Sequence, residues 1–139
     1  MDVTAARNGT QQVVRHVVSL PHPEEDVWPA LATRHGLRSW LAAAELLEPR
    51  LGGAVALRWL DDPAGGPVSG TVTAWDVERV VEYTLSGGDR VRFHLEPGEH
   101  GDRAATVLRL THTFRGADAL REEREAAWGI RFDRLRAVL

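Results

Sequence analysis

The sequence predicts an α+β domain. A curved antiparallel sheet of about six to seven strands should wrap around one long C-terminal helix, with two short helices after the first strand. Three observations carry this. From Asp118 to Leu139, the residues Leu120, Trp128, Phe132, Leu135, Val138 and Leu139 fall within one arc of about 120° on a helical wheel. At ~1.5 Å per residue that helix is ~33 Å long, enough to cross a small domain. Between Val13 and Phe114 the chain is mostly short alternating segments with hairpin-length links, which cannot make parallel neighbours. The half-buried sheet needs a cover, and the last helix is the one segment long enough to supply it.

Each element has its own signal. Val14, His16, Val18 and Leu20 alternate with Val13, Arg15, Val17 and Ser19, which reads as a strand ended by Pro21 and Pro23. Glu24, Glu25 and Asp26 suit a helix N-terminus, and Val27, Trp28 and Leu31 supply its apolar anchors. Pro29 then demands either a late start, with Asp26 as cap, or a kink. A second helix is expected from Leu37 to Ala44, with His35 and Gly36 as the break between the two.

Strands follow on Val55, Leu57 and Trp59, then Gly70, Val72 and Ala74, then Val81, Tyr83 and Leu85. Ser86 to Asp89 reads as a hairpin loop. Val91, Phe93 and Leu95 continue the sheet, Pro97 to Asp102 reads as a turn, and Thr106, Leu108, Leu110 and His112 share one face of the last strand. Trp75 alternates out of phase with Val72 and is expected on the outer face. Residues 10–139 are expected to form one domain, and residues 1–9 a flexible N-terminus.

Composition narrows the function. Charge is near balance, at −3, and no basic stripe stands out, so nucleic acid is not expected as a partner. With no cysteine, thiol catalysis and thiolate metal sites are excluded. No apolar run reaches membrane-spanning length and no leader pattern opens the chain, so a soluble cytoplasmic protein without membrane association is expected. Five tryptophans beside one tyrosine suit a hydrophobic core or the wall of an apolar pocket.

These residues resemble a known group. Pro23 to Trp28 with Leu31, then Leu37, Trp40 and Leu41, resemble the opening of the START-like (SRPBCC) superfamily. More narrowly they resemble its branch named for the activator of the ninety-kilodalton heat-shock protein ATPase. Leu51-Gly52-Gly53, Gly70 and Val72 with Asp76, Arg79 and Val81, the Thr111-His112-Thr113 strand end, and Ala127-Trp128 with Leu135 and Leu139 match further pieces in order, with Ala127 in place of a glycine. The resemblance runs from about Val14 to Leu139. It implies a helix-grip fold with a cavity between sheet and helix. In the superfamily such domains serve as lipid carriers, hormone receptors and polyketide cyclases. The branch name implies a chaperone partner.

The six histidines show no metal-ligand spacing, no serine lies in a nucleophile elbow, and no glycine pair opens a helix as a phosphate loop, so neither a metal nor another cofactor is expected. The expected cavity lining is Trp59, Tyr83, Leu85, Phe93, Leu110, His112, Arg124, Trp128 and Phe132. His112 is either a base or ligand contact, or a core-edge histidine bonded to a backbone carbonyl. Tyr83 is either a cavity hydroxyl or a packing residue. Glu82 and Arg79 read as solvated charges.

Arg124 and Arg131 fall inside the apolar arc of the last helix. Arg124 therefore either snorkels to the rim or pairs with a protein acid such as Glu45 or Glu48, or meets the acidic head of a ligand. The expected function is non-catalytic binding of a small hydrophobic or amphipathic molecule, in a monomer or homodimer. The rivals are a co-chaperone-like interaction domain and a cyclase or aromatase type of enzyme using His112 or Tyr83.

Overall fold

The computed structural model describes residues 9–101 and 103–139; of residues 1–9, expected to be flexible, residues 1–8 lie outside the described residues. The chain runs β1 (Thr10–Leu20), α1 (Glu24–Ala32), α2 (Arg34–Trp40), β2 (Ala42–Leu47), β3 (Ala54–Trp59), β4 (Val68–Asp76), β5 (Val80–Leu85), β6 (Arg90–His100), β7 (Arg103–Gly116) and α3 (Asp118–Val138). Seven strands form one antiparallel sheet in the order β1-β7-β6-β5-β4-β3-β2. The curved sheet grips α3, and α1 and α2 close one end, as the alternation and the long apolar stripe require.

The core lies between the concave face of the sheet and the helices. Its centre is an aromatic cluster. Trp40 stacks on Phe132 at 5.8 Å between ring centroids, Trp128 meets Phe93 edge-on at 5.9 Å, and Trp128 lies 5.5 Å from Phe132. All four rings are almost wholly buried.

Polar atoms that enter this core are tied. The Trp40 indole donates to the Ala30 carbonyl at 2.8 Å. The Tyr83 hydroxyl donates to the Leu31 carbonyl at 2.7 Å. Both carbonyls belong to the last turn of α1 and lack a helical partner, so a sheet residue and an α2 residue supply what the short helix cannot.

Several expectations are corrected. Glu24 already begins α1, with Pro23 rather than Asp26 at the cap, so Pro29 sits in the second turn and the helix does not start late. It is exposed there. The break between the helices is Thr33, whose hydroxyl accepts from the Gly36 amide at 2.9 Å and donates to the Pro29 carbonyl at 2.7 Å. His35 and Gly36 therefore lie inside α2. A Cβ on Gly36 would collide with the Pro29 carbonyl, so a glycine is needed where the two helices meet.

Residues 42–44 leave the helix and open β2, a strand whose three alanines carry no alternation signal. Instead of turning at Pro97, β6 continues to His100, with Pro97 paired to Thr106. Trp75 turns inward. The register slips between Val72 and Ala74, so Thr73 is an extra residue and the alternation after it is inverted. Trp75 then meets Trp28 edge-on at 5.2 Å. Val138 is 47% exposed and stands outside the stripe. Glu82 is buried on the outer face, where it accepts from Thr73 at 2.7 Å and Arg92 at 3.3 Å.

Two stability tests follow from the α1 geometry. Pro29→Ala restores a helix-interior N–H at an exposed site, so urea unfolding should show a neutral or stabilised protein; a clear loss would mean the fixed proline angle is needed. Tyr83→Phe leaves the Leu31 carbonyl buried without its donor and should cost about 1–3 kcal/mol in the same assay.

Candidate functional site

A groove of about 660 Å³ runs along α3, between that helix and one side of the sheet. The sheet contributes Trp59 of β3, Val68 of β4, Leu85 of β5 and His112 of β7, and the β3–β4 and β5–β6 connections add Asp61 and Asp89. From α3 come Leu120, Glu123, Arg124, Ala127, Ile130, Arg131 and Arg134. On the helical wheel these seven form a second arc of about 120°, overlapping one edge of the apolar stripe at Leu120, Arg124 and Arg131. One arc of α3 packs the core and its neighbour walls the groove.

Of the residues expected to line a cavity, Trp59, Leu85, His112 and Arg124 do so. Tyr83, Phe93, Leu110, Trp128 and Phe132 do not: they fill the packed core behind the groove wall. The space between sheet and helix is occupied at its centre by the protein's own aromatic rings, and the open volume is displaced towards the β3–β4 loop and the β5–β6 turn.

The groove wall is organised around His112, 1% exposed. Its Nδ1 lies 2.9 Å from the Trp128 indole nitrogen. An indole N–H can only donate, so Nδ1 must be the acceptor and carries no proton. Nε2 therefore bears the hydrogen of the neutral ring, and it donates to Asp89 Oδ2 at 3.1 Å. The 3.5 Å approach of Arg124 Nη1 to Nε2 then brings two donors together and is not a hydrogen bond.

Burial lowers the His112 pKa; the Asp89 carboxylate opposes this, and the charges of Arg124 and Arg131 add to it. Burial pushes Asp89 up, but the hydrogen bonds from His112 and Arg124 and the Arg124 charge outweigh it and hold the carboxyl below its usual range. The expected backbone-carbonyl partner of His112 is thus replaced by two side chains.

Two ion-pair clasps span the groove. Arg124 donates to Asp89 at 2.8 Å, with its guanidinium 4.6 Å from the centre of the Phe114 ring. The acid that pairs with Arg124 is Asp89 rather than Glu45 or Glu48, which face Arg58 and Arg50 instead. One helical span further on, Arg131 grips both carboxylate oxygens of Asp61 at 2.8 and 3.1 Å. Its guanidinium lies 4.6 Å from the Trp59 ring and 4.7 Å from the Trp128 ring. Those hydrogen bonds from Arg131 hold Asp61 below the ordinary carboxylate range. The bidentate, ring-stacked geometry uses what arginine has and lysine lacks.

The helix members of this site were open to sequence reading, because Leu120, Arg124, Ala127 and Arg131 recur at helical spacing. Asp89 was not. An aspartate after two glycines is an ordinary turn residue, and only the fold brings it to His112. Among the described residues no group of histidines and acids is arranged to hold a metal ion. No helix among them is long and apolar enough to cross a membrane.

A curved antiparallel sheet closed by a long C-terminal helix, with a groove beside that helix, defines a START-like helix-grip domain. Within that class, the sequence profile of the family described as Activator of Hsp90 ATPase homolog 1-like protein matches residues 21–139, and the chain belongs to this family. Protein MLL2253 from Mesorhizobium loti has a similar structure, with a TM-score of 0.76 at 23% identity over 91% of this chain and 95% of that one. The Aha1 dimer from Colwellia psychrerythraea gives 0.73 at 20% identity over 92% and 96%. CalU16 from Micromonospora echinospora gives 0.65 at 20% identity over 91% and 82%. At these identities the likeness is one of fold. No curated protein matches the chain.

The His112 network predicts an acid-side loss of stability. Because the folded-state pKa lies below the ordinary value of about 6.5, the unfolded chain binds a proton first as pH falls. The contribution of His112 is therefore complete above about pH 6.5 and declines below it, by at most ~1.4 kcal/mol per pH unit, until the folded ring also protonates. Asp89, with its lowered pKa, adds a second decline below about pH 4. His112→Gln can still accept from Trp128 and donate to Asp89 but cannot titrate. Urea unfolding between pH 7 and 5 should show a shallower slope for this variant than for wild type; equal slopes would refute the assignment.

Proposed function

We propose that this protein binds a small hydrophobic or amphipathic molecule, without altering it, in the groove along α3. The observation that carries the reading is the groove's composition. Apolar surface from Trp59, Val68, Leu85, Leu120, Ala127 and Ile130 lies beside two internally matched ion pairs, Arg124 with Asp89 and Arg131 with Asp61. A pocket of about 660 Å³ is within the range of small-molecule sites.

Catalysis has little to work with. His112 has both ring nitrogens engaged, and the Tyr83 hydroxyl is committed to the Leu31 carbonyl. A general base needs a free lone pair within reach of its substrate. This disfavours the cyclase or aromatase reading. With Arg124 and Arg131 held by internal carboxylates, and Arg134 exposed and unpaired among the described residues, the groove favours a ligand whose apolar body supplies most of the affinity, with Trp59 as one contact surface. Family membership supports a second reading, interaction with a heat-shock ATPase.

The test is a fluorescence titration with N-phenylnaphthylamine, an uncharged apolar probe. Saturable binding is expected, weakened at least tenfold by Ala127→Trp, which fills the middle of the groove, with urea unfolding used to verify that the variant folds. Absence of saturable binding to the wild type, or equal affinity for the folded variant, would count against the groove. Stimulation of a purified heat-shock ATPase by a protein that fails to bind the probe would favour the interaction reading.

A further inference from the structure

We propose that the outer edge of β1 is a docking site for an extended segment of a partner protein, one that alternates acidic and apolar residues. The site adjoins the groove at Ile130, which lines both, and is otherwise built from different residues. It stands on three features of one border of the molecule: an open strand edge, an adjoining notch and two arginines without ion-pair partners.

The first is the edge itself. β1 is an outermost strand, and among the described residues only β7 pairs with it. Its register with β7 runs without a bulge from Thr10 opposite Gly116 to Leu20 opposite Thr106. The strand contains no proline. A long regular edge offers backbone donors and acceptors to an added strand, and native proteins normally blunt such edges.

The second is a notch of about 480 Å³ between β1 and α3, lined by Val18, Gly129, Ile130 and Phe132 among others, and by Asp133 and Arg136, which pair with each other at 3.5 Å. Val17 and Ile130 are 57% and 58% exposed. A Cβ placed on Gly129 would meet only the His16 ring, at 4.0 Å, so the glycine leaves real space. A strand laid beside β1 would turn alternate side chains towards this notch, where Val18 and Ile130 offer apolar contact beside the Asp133–Arg136 pair.

The third is charge. On the outer face of the sheet, which the exposed Val17 shares, Arg15 of β1 and Arg115 of β7 are exposed and have no ion-pair partner among the described residues, whereas Arg109 beside them is paired with Glu96 at 2.9 Å. The other set of alternate side chains on an added strand would lie near these guanidiniums, and carboxylates match them in charge and fork geometry. The same arginine disfavours a second copy of this chain. Arg15 is the midpoint of Thr10–Leu20, so full antiparallel pairing of two β1 edges sets Arg15 opposite itself, and like charges there are destabilising. Nucleic acid is less suited, since the phenylalanine in the notch, Phe132, is 1% exposed and packs against His16, leaving no open ring face on which bases could stack.

The experiment uses a fluorescein-labelled peptide of ten alternating glutamate and valine residues, with a lysine–valine peptide of the same length as control. Fluorescence anisotropy should show salt-sensitive binding of the acidic peptide, at least tenfold tighter than the control. Amide hydrogen exchange should slow within Thr10–Leu20 when it binds. Arg15→Glu should weaken binding at least tenfold. Gly129→Leu should do the same by filling the notch, and since it replaces a helical glycine with open space around it, folding is not at risk. No binding, equal binding of the two peptides, or binding unchanged in both variants would overturn the proposal. So would a concentration-dependent dimer in sedimentation that Gly129→Leu dissolves, since the edge would then belong to a second copy.

Discussion

The hydrogen bond from the Trp128 indole to His112 Nδ1 is the contact on which the groove depends. Its direction is not negotiable, because indole has a proton to give and no lone pair to offer. That fixes the imidazole as a neutral acceptor on one side and a donor on the other. The donor side holds Asp89, and Asp89 in turn holds Arg124. A single donor-only side chain, buried in the aromatic core, thus orients a chain of four residues reaching from the centre of the protein to the groove mouth. Without it, His112 would keep Asp89 on its Nε2 side, but Nδ1 would be a buried acceptor with no donor and nothing would fix the tautomer.

The same economy appears in the second clasp. Arg131 lies against the Trp59 and Trp128 rings while Asp61 takes its polar edge. Trp128 therefore contributes to both clasps, through its N–H in one and its ring in the other. The arginines that looked misplaced on an apolar arc are instead the means by which α3 is joined to two sheet connections, with their stems and planar heads packed on aromatic surface.

Much of the fold was legible in the sequence because periodicity reports burial. The α3 stripe and the five clearly alternating internal strands were read from spacing alone. The failures have identifiable causes. β2 opens on three alanines, which mark neither strand nor face. Trp75 was assigned to the wrong side because one bulge at Thr73 inverts every later residue, and a bulge leaves no pattern of its own.

The site was less legible than the fold. Helical spacing could have revealed the groove-facing arc of α3, but Asp89 and Asp61 lie in loops where aspartate is common for local reasons. Their roles depend on contacts across 35 and 70 residues of sequence, which no local signal encodes. Core and cavity were also confused for Tyr83, Phe93, Leu110, Trp128 and Phe132, since inward orientation does not tell whether other side chains already fill the space.

The most direct test of this account is the protonation state of His112, read from imidazole ¹⁵N and ¹H shifts by NMR between pH 7 and 5. The geometry predicts a neutral ring with the proton on Nε2, persisting below about pH 6.5, where a free histidine would be mostly cationic. A protonated ring at pH 6.5, or a neutral ring with its proton on Nδ1, would contradict the Trp128 hydrogen bond and with it the organisation of the groove.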